Sequence, residues 1–161
     1  MHTPVRAQTV IILLEAAGQC FGLPIDVVRD ALTLSRAGRG DWLVRGAEPG
    51  GSCDGRAIDL GGQRVPLIEV GASLGLPGGS AFQGRTRTRS VVVVQCGERW
   101  LGLLVDAVGE VVEVPLTAIV PRSGPLDSDL PIRRAVLLAD RTVGLLDADR
   151  LLPSADALTV A

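Results

Sequence analysis

The feature of this sequence that most limits its possible folds is an internal duplication. Residues 21–34 align with residues 101–114, and residues 56–74 align with residues 134–152. Both offsets are about 80 residues, and a repeat at a fixed period is typical of a fold built from equivalent units. Because the two alignments occur in the same order along the chain, they predict two structurally similar halves.

Each half begins with the pattern of a β-hairpin. Residues 9–14 and 90–96 are continuous apolar runs, which are typical of strands buried on both faces. Within them, residues 10–13 align with residues 91–94. Each run leads through a short turn into a second apolar strand. The returning strands are residues 21–25 and residues 100–105.

A second hairpin is predicted to close each half. The predicted strand pairs are residues 56–60 with 64–68 and residues 134–138 with 142–146. Gly61 and Gly62 join the first pair and can supply the positive φ that such turns need. Short helical turns are predicted at residues 70–74 and 148–152.

The predicted fold is therefore all-β, with two small barrels packed together and short helices at their ends, because closing each sheet removes exposed edges. The domain is predicted to cover residues 9–153. Its barrels comprise residues 9–76 and 90–153, or exchange strands between these halves. Glycine-rich residues 35–53 are predicted to form a loop. Three further segments are predicted to be irregular: a connecting loop of residues 77–89 and flexible arms of residues 1–8 and 154–161.

Composition argues against several classes of function. Hydrophobic residues make up 47 % of the chain, enough to build a core, and the net charge of −2 creates no field that would attract nucleic acid. Cys20, Cys53 and Cys96 form no CxxC pair, and the only histidine, His2, lies on the predicted arm. We therefore expect reduced cysteines, a cytoplasmic protein, no metal and no cofactor.

No catalytic motif emerges from the sequence. It contains no glycine-rich phosphate cradle and no Gly-x-Ser-x-Gly elbow. Asp26 and Asp106 are equivalent in the repeat, whereas a catalytic pair of carboxylates needs two different environments. Such acids are more often turn or cap residues. We expect that the protein is not an enzyme.

One basic patch, Arg85, Arg87 and Arg89, interrupts an otherwise mixed charge pattern. It can be interpreted as a contact for phosphate or an acidic partner, or as a solvated loop, and the second interpretation is favoured. A nucleic-acid-binding barrel would also need aromatic stacking platforms. Trp42 and Trp100 are too few and too isolated to supply them.

Four segments resemble the CheW-like domain family. Residues 101–111, Leu-Gly-Leu-Leu-Val-Asp-Ala-Val-Gly-Glu-Val, resemble a signature of its second half, and residues 21–30 resemble its opening hairpin. Residues 57–70 resemble the segment that enters its third strand pair, and residues 136–152 resemble its closing hairpin and helix. The resemblance covers about residues 9–153, in the order of the family.

The resemblance implies two five-stranded SH3-like barrels and a function by contact alone. Members of the family bind the cytoplasmic tip of chemoreceptors and the regulatory domain of a CheA-type histidine kinase. A groove between the barrels takes the helical receptor tip, so apolar residues should line it. By motif position, the implied receptor-binding residues are Ile25, Val28, Val105 and Val108. The implied kinase-binding residues are Asp30, Leu60 and Gly61.

This chain departs from the family at one of those positions. The family usually has Asn-Leu-Arg-Gly where this chain has Asp59, Leu60, Gly61 and Gly62. The arginine that the family uses in kinase coupling is therefore replaced by Gly61. The expectation is a divergent adaptor, recruited to receptor arrays, with weakened kinase coupling. A small-molecule-binding or sensor barrel, which needs a hollow interior, remains the alternative.

Overall fold

The structure is a computed structural model of the chain, and most of its described residues lie in β-strands. It describes residues 7–35, 42–45, 52–53, 57–60, 62–73, 88–121 and 132–151. In chain order the strands are β1 (Gln8–Ala16), β2 (Gln19–Pro24), β3 (Val28–Ser35), β4 (Trp42–Arg45), β5 (Ser52–Cys53), β6 (Ala57–Leu60), β7 (Gln63–Glu69), β8 (Thr88–Cys96), β9 (Arg99–Val105), β10 (Ala107–Pro115), β11 (Ile119–Pro121), β12 (Ile132–Leu137) and β13 (Thr142–Leu146). The helical pieces are 3-10 turns at Ile25–Val27 and Leu116–Ala118, helix α1 (Val70–Ser73) and residues 148–151. The predictions of an all-β fold and of short helices at its ends are confirmed.

The strands form two sheets that each combine both halves of the sequence. One is a six-stranded sheet in the order β10-β1-β2-β13-β12-β11, and the other is a closed barrel in the order β3-β4-β5-β6-β7-β9-β8. The chain crosses from the six-stranded sheet to the barrel at Ile25–Val27, and returns at Asp106. We call these two connections the first and the second crossover. They occupy equivalent positions in the repeat.

Strand pairing follows the repeat. The closed barrel contains a parallel pair in which Leu67 lies opposite Gly102, and the six-stranded sheet contains its equivalent, in which Leu145 lies opposite Gly22. The other pairings are antiparallel. The duplication seen in the sequence therefore corresponds to two sheets of the same local design.

The register of the first hairpins corrects one detail of the sequence alignment. Leu14 pairs with Phe21 in the first hairpin, and Val94 pairs with Leu101 in its equivalent. β1 and β8 therefore correspond at the same offset as residues 21–34 and 101–114, so the expected match of residues 10–13 with 91–94 was wrong by one residue. A shift of one residue would have reversed which side chains face each side of the sheet.

Three apolar clusters account for the continuous apolar runs. Val91 and Val93 point into the closed barrel, whereas Val92 and Val94 point into a central cluster between the two sheets, and all four are 0 % exposed. β1 is arranged in the same way, because alternate side chains of a strand face opposite sides. Ile11 and Leu13 belong to a third cluster on the other face of the six-stranded sheet. The prediction of strands buried on both faces is confirmed.

The closed barrel contains strands in a segment that was predicted to be a loop. β4 and β5 lie within residues 35–53, and together they link β3 to β6 through backbone pairing. They contain four and two residues, which is too short for a recognisable alternation of apolar and polar side chains. Because strand pairing across the barrel defines them, the loop prediction was wrong there.

Some predicted segments lie outside the described residues. These are residues 1–6 and 154–161 of the predicted arms and residues 77–87 of the predicted connecting loop. Within the first arm, Gln8 already belongs to β1, and the carbonyl of Ala7 accepts a hydrogen bond of 3.0 Å from the amide of Leu116.

Candidate partner-binding groove

The four residues predicted to bind a receptor lie at the two crossovers. Ile25 belongs to the first crossover and Val28 opens the strand that follows it. Val105 ends the strand before the second crossover, and Val108 lies just after it. All four belong to or pack against the central cluster between the sheets. The structure therefore brings together residues that are about 80 positions apart in the sequence.

These side chains differ in accessibility. Ile25, Val28 and Val108 are partly buried, so each has an exposed portion beside the central cluster. Val105 is 0 % exposed and belongs to the cluster itself. The first three therefore offer exposed apolar atoms at the surface, whereas Val105 offers none.

Two further apolar residues share this position. Val27 and Ile132 are partly buried against the central cluster in the same way. Val27 lies two residues after Ile25 in the same motif, so its position in the sequence could have identified it. Ile132 comes from a distant strand, and only the tertiary structure places it here. We call Ile25, Val27, Val28, Val108 and Ile132 the groove residues, after the groove predicted from the sequence.

Both crossovers are followed by an irregularity in strand register. Val28 pairs with Val94 and the register then shifts before Asp30. Val108 pairs with Leu14, and the register shifts between Leu14 and Ile12. Such bulges redirect side chains and increase local twist. They give the groove residues on β3 and β10 equivalent settings in the two sheets.

Two of the three residues predicted to bind a kinase, Asp30 and Leu60, lie on the closed barrel. Asp30 is exposed on β3, and its Oδ1 accepts a hydrogen bond of 2.8 Å from the amide of Ala31. Leu60 is partly buried on β6 against the barrel interior. β4 and β5 separate these strands in the barrel order. Gly61 lies outside the described residues.

A cavity of about 470 Å³ lies beside the first crossover. Its lining comes from both sheets: Pro24, Val27, Gln95, Cys96, Arg133, Arg134 and residues 145–149. The register shift between Ile132 and Arg134 explains why two consecutive arginines of β12 face the same cavity. The cavity lies at a junction between the sheets, and none of the buried core residues of the closed barrel lines it.

Cys96 lines this cavity but is poorly suited to nucleophilic chemistry. Burial raises the pKa of its thiol to about 11, and the carboxylates of Asp149 and Asp147 add to the increase. The reactive form of cysteine is the thiolate, which is scarce near neutral pH when the pKa is so high. The thiol is therefore a neutral core group.

Arg89 is not part of a solvated loop, contrary to the sequence interpretation. It lies on β8, is 3 % exposed, and its Nε donates a hydrogen bond of 3.1 Å to the carbonyl oxygen of Val105. Its Nη2 lies 3.2 Å from Oδ1 of Asp106. Burial lowers the pKa of the guanidinium, and the charges of Asp106 and Glu69 oppose that effect. The alternation Arg-Thr-Arg-Thr-Arg has the period of a strand and was the available signal. Arg85 and Arg87 lie outside the described residues.

The described residues also bear on two other kinds of feature, a metal site and a membrane-spanning helix. Among them, no three side chains of His, Cys, Asp or Glu are grouped in a way that could hold a metal ion. No helix in the described part of the chain has the length and apolar character needed to span a membrane.

Comparison with known proteins identifies this class of fold. A scaffolding protein, TtCheW from Thermoanaerobacter tengcongensis, superimposes with a TM-score of 0.64 at 19 % sequence identity, over 87 % of this chain and 89 % of that one. At this identity the similarity establishes the fold. No curated protein sequence matches significantly. The CheW-like domain family matches residues 49–156, which is more than half of the chain. The chain belongs to the CheW-like domain family, a family of chemotaxis scaffolds and adaptors.

Proposed function

We propose that this protein is a non-enzymatic, cytoplasmic adaptor of a bacterial chemosensory array that binds the helical cytoplasmic tip of chemoreceptors. The observation that carries the proposal is the set of five groove residues beside the central cluster. All five are partly exposed apolar side chains that pack against the cluster between the two sheets. An amphipathic helix binds such a groove through apolar residues spaced along one face. No reaction step is needed for this role.

We further propose that coupling to a CheA-type kinase is weak. Gly61 stands where the family uses an arginine, and glycine offers neither a charge nor a hydrogen-bonding side chain. Loss of a charge-assisted contact from an interface commonly costs about 2–5 kcal/mol. Asp30 is exposed on β3, so its carboxylate remains available as one part of the kinase-binding surface that the family implies.

The sensor-barrel alternative finds limited support. The buried apolar core of the closed barrel is at most 4 % exposed, so within the described part of the chain the cavity of about 470 Å³ between the sheets is the place to test for a ligand. Four charged side chains line that cavity: Arg133, Arg134, Asp147 and Asp149. Small-molecule sites are mostly apolar with a few polar groups, which is not the composition here. The groove therefore remains the stronger candidate site.

The test is co-sedimentation with assembled receptor tips, with and without the kinase of the same system. In the assay without the kinase, the wild-type chain should sediment together with the receptors. Val108→Gln should weaken sedimentation by about tenfold, which corresponds to about 1.4 kcal/mol. Val111→Gln is the matched control, because Val111 lies on the same strand but is 55 % exposed. Equal binding by both variants would contradict the groove assignment.

The kinase arm of the same assay tests the weakened coupling. Wild-type chain should recruit little kinase to the sedimented receptors, and Gly61→Arg should recruit more. Gly62→Arg is a poor substitute, since Gly62 has a φ of +82° and an added side chain would strain the turn. Strong kinase recruitment by the wild-type chain would refute the proposal of weakened coupling while leaving receptor binding intact.

A further inference from the structure

Asp106 is the residue at which the chain crosses from the closed barrel back to the six-stranded sheet. Its amide donates a hydrogen bond of 2.8 Å to the carbonyl oxygen of Glu15. Its Oδ2 accepts a hydrogen bond of 2.8 Å from the amide of Ala17. Both partners belong to the hairpin of β1 and β2. The second crossover is therefore attached to the six-stranded sheet through main chain and side chain together.

The other carboxylate oxygen of Asp106 reaches the closed barrel. Oδ1 lies 3.2 Å from Nη2 of Arg89, whose Nε also bonds the carbonyl oxygen of Val105 at 3.1 Å. Because Arg89 is 3 % exposed, its guanidinium needs a charged acceptor to offset the loss of water. One carboxylate thus links a buried cation in the barrel to a backbone amide in the other sheet.

Ala17 shows that this link influences local conformation. Its φ of +52° is in the left-handed region, which is unfavourable for a residue with a side chain. The equivalent residue of the other hairpin is Gly97, with a φ of +63°. The hydrogen bond from the Ala17 amide to Asp106 helps to hold a conformation that alanine rarely adopts.

The first crossover lacks an equivalent link among the described residues. Asp26 is the repeat counterpart of Asp106, and Thr9 stands at the counterpart position of Arg89. Within the described part of the chain, no hydrogen bond or ion pair involves the Asp26 carboxylate. The cavity of about 470 Å³ opens beside this crossover, next to Pro24 and Val27. The two halves of the repeat therefore differ in how the sheets are joined.

We propose that Asp106 is a positioning residue that fixes the relative orientation of the two sheets and thereby the shape of the groove. It acts through Arg89 on the barrel and through Ala17 on the six-stranded sheet. The groove residues Val28 and Val108 belong to different sheets, so their separation depends on that orientation. The effect on receptor affinity rests on the proposed function, whereas the effect on orientation does not.

The test compares Asp106→Asn with Asp26→Asn, the same change at the repeat-equivalent position. Residual dipolar couplings measured by NMR report the orientation of each sheet in the intact chain. In the wild type, couplings from both sheets should fit one alignment tensor. We expect Asp106→Asn to require a different orientation or separate tensors, and Asp26→Asn to leave the couplings unchanged. A single unchanged tensor in Asp106→Asn would overturn the proposal.

A third variant separates orientation from overall stability. Val136→Ala removes buried methyl groups inside the six-stranded sheet and does not touch the crossover. It should lower the melting temperature while keeping the wild-type couplings. If Val136→Ala changed the couplings as Asp106→Asn does, general loosening would explain the result and the positioning role would fail.

Receptor affinity provides the second readout. Asp106→Asn should weaken binding of isolated receptor tips by about tenfold and Asp26→Asn by less than about twofold, a difference of about 1 kcal/mol or more. Changed couplings with unchanged affinity would overturn the link to the groove. A wild-type chain that binds no receptor would overturn the proposed function, and the couplings would still decide whether Asp106 orients the sheets.

Discussion

Glycine at two equivalent positions shows how single residues determine the packing of this fold. A Cβ on Gly102 would lie 2.6 Å from Cδ2 of Leu67 and 3.1 Å from Cγ1 of Val91. A Cβ on Gly22 would lie 3.0 Å from Cδ2 of Leu145. Both glycines belong to parallel strand pairs, where the side chain of the neighbouring strand covers the backbone. The absence of a side chain is what permits this close approach.

Gly102→Ala should therefore destabilise the protein. The added methyl must displace Leu67 in a filled interior, and overpacking of this kind costs about 1–3 kcal/mol in the free energy of unfolding. Urea denaturation measures the change. Leu67→Val shortens the side chain that Gly102→Ala would contact. The double variant should consequently lose less stability than the sum of the two single variants. Strict additivity would indicate that this contact is not the source of the cost.

Cys96 gives the protein a specific alkaline sensitivity. The pKa of its thiol is about 11 in the folded protein, against an ordinary value of 9.0. Between these values the unfolded chain loses a proton that the folded chain keeps, so stability decreases as pH rises. We expect the free energy of unfolding to fall by about 2 kcal/mol from pH 8 to pH 11. The chain has no lysine and no tyrosine, so few other groups titrate in this window.

Chemical denaturation at a series of pH values measures this dependence. Cys96→Ala should flatten the alkaline part of the curve, although it also lowers stability at every pH because it removes a buried group. Val94→Ala, at a buried residue of the same cluster that carries no titrating group, is the matched control and should keep the slope. An unchanged slope in Cys96→Ala would show that another group causes the alkaline loss.

At the scale of elements, β8 and β10 together illustrate the difference between buried and exposed valine. Val93 faces the barrel interior and Val92 faces the central cluster, and both are 0 % exposed. Each substitution by alanine should cost about 1–3 kcal/mol, because it removes buried methyl groups and leaves a cavity. Val111→Ala, at a side chain that is 55 % exposed, should change stability by less than about 0.5 kcal/mol.

Val111→Ala also controls for the different strand propensities of valine and alanine. All three substitutions exchange valine for alanine in a strand, so the difference between buried and exposed positions isolates burial. Thermal or urea denaturation gives the comparison. If Val92→Ala cost as little as Val111→Ala, the central cluster would not be a stabilising core between the sheets.

Much of the element level could be predicted from local pattern. Continuous apolar runs predicted strands buried on both faces, and β1 and β8 have that character. β4 and β5 were missed, since two to four residues carry no periodicity and are strands only because neighbouring strands pair with them. Motif position singled out Ile25, Val28 and Val108, which do pack against the central cluster, while their binding of a receptor stays a prediction. Ile132 was not singled out, because it reaches the cluster from a distant strand.

At the scale of the whole molecule, the exchange of strands should make unfolding a single event. Each sheet needs strands from both halves of the chain, and the central cluster draws buried residues from both sheets. Neither half can therefore keep its core when the other unfolds. We expect one cooperative transition in urea, with coincident curves from far-UV circular dichroism and tryptophan fluorescence. The fluorescence curve reports mainly the closed barrel, because Trp42 lies on β4 and Trp100 lies on β9. Separate transitions would show that the two sheets are independent folding units.

The sequence alone determined the local properties of this protein. Its duplication, its alternating and continuous apolar patterns and its glycine turns specified β-strands, hairpins and two equivalent halves, because each of these depends on neighbours along the chain. The tertiary structure decided which strands share a sheet, which face of each strand meets the central cluster, and that Arg89 is buried. Asp106 joins Ala17 across a separation of 89 residues, and such a contact depends on how two sheets pack. Long-range packing carries no periodic signal in the chain, and for that reason only the folded molecule reveals the junction between the sheets.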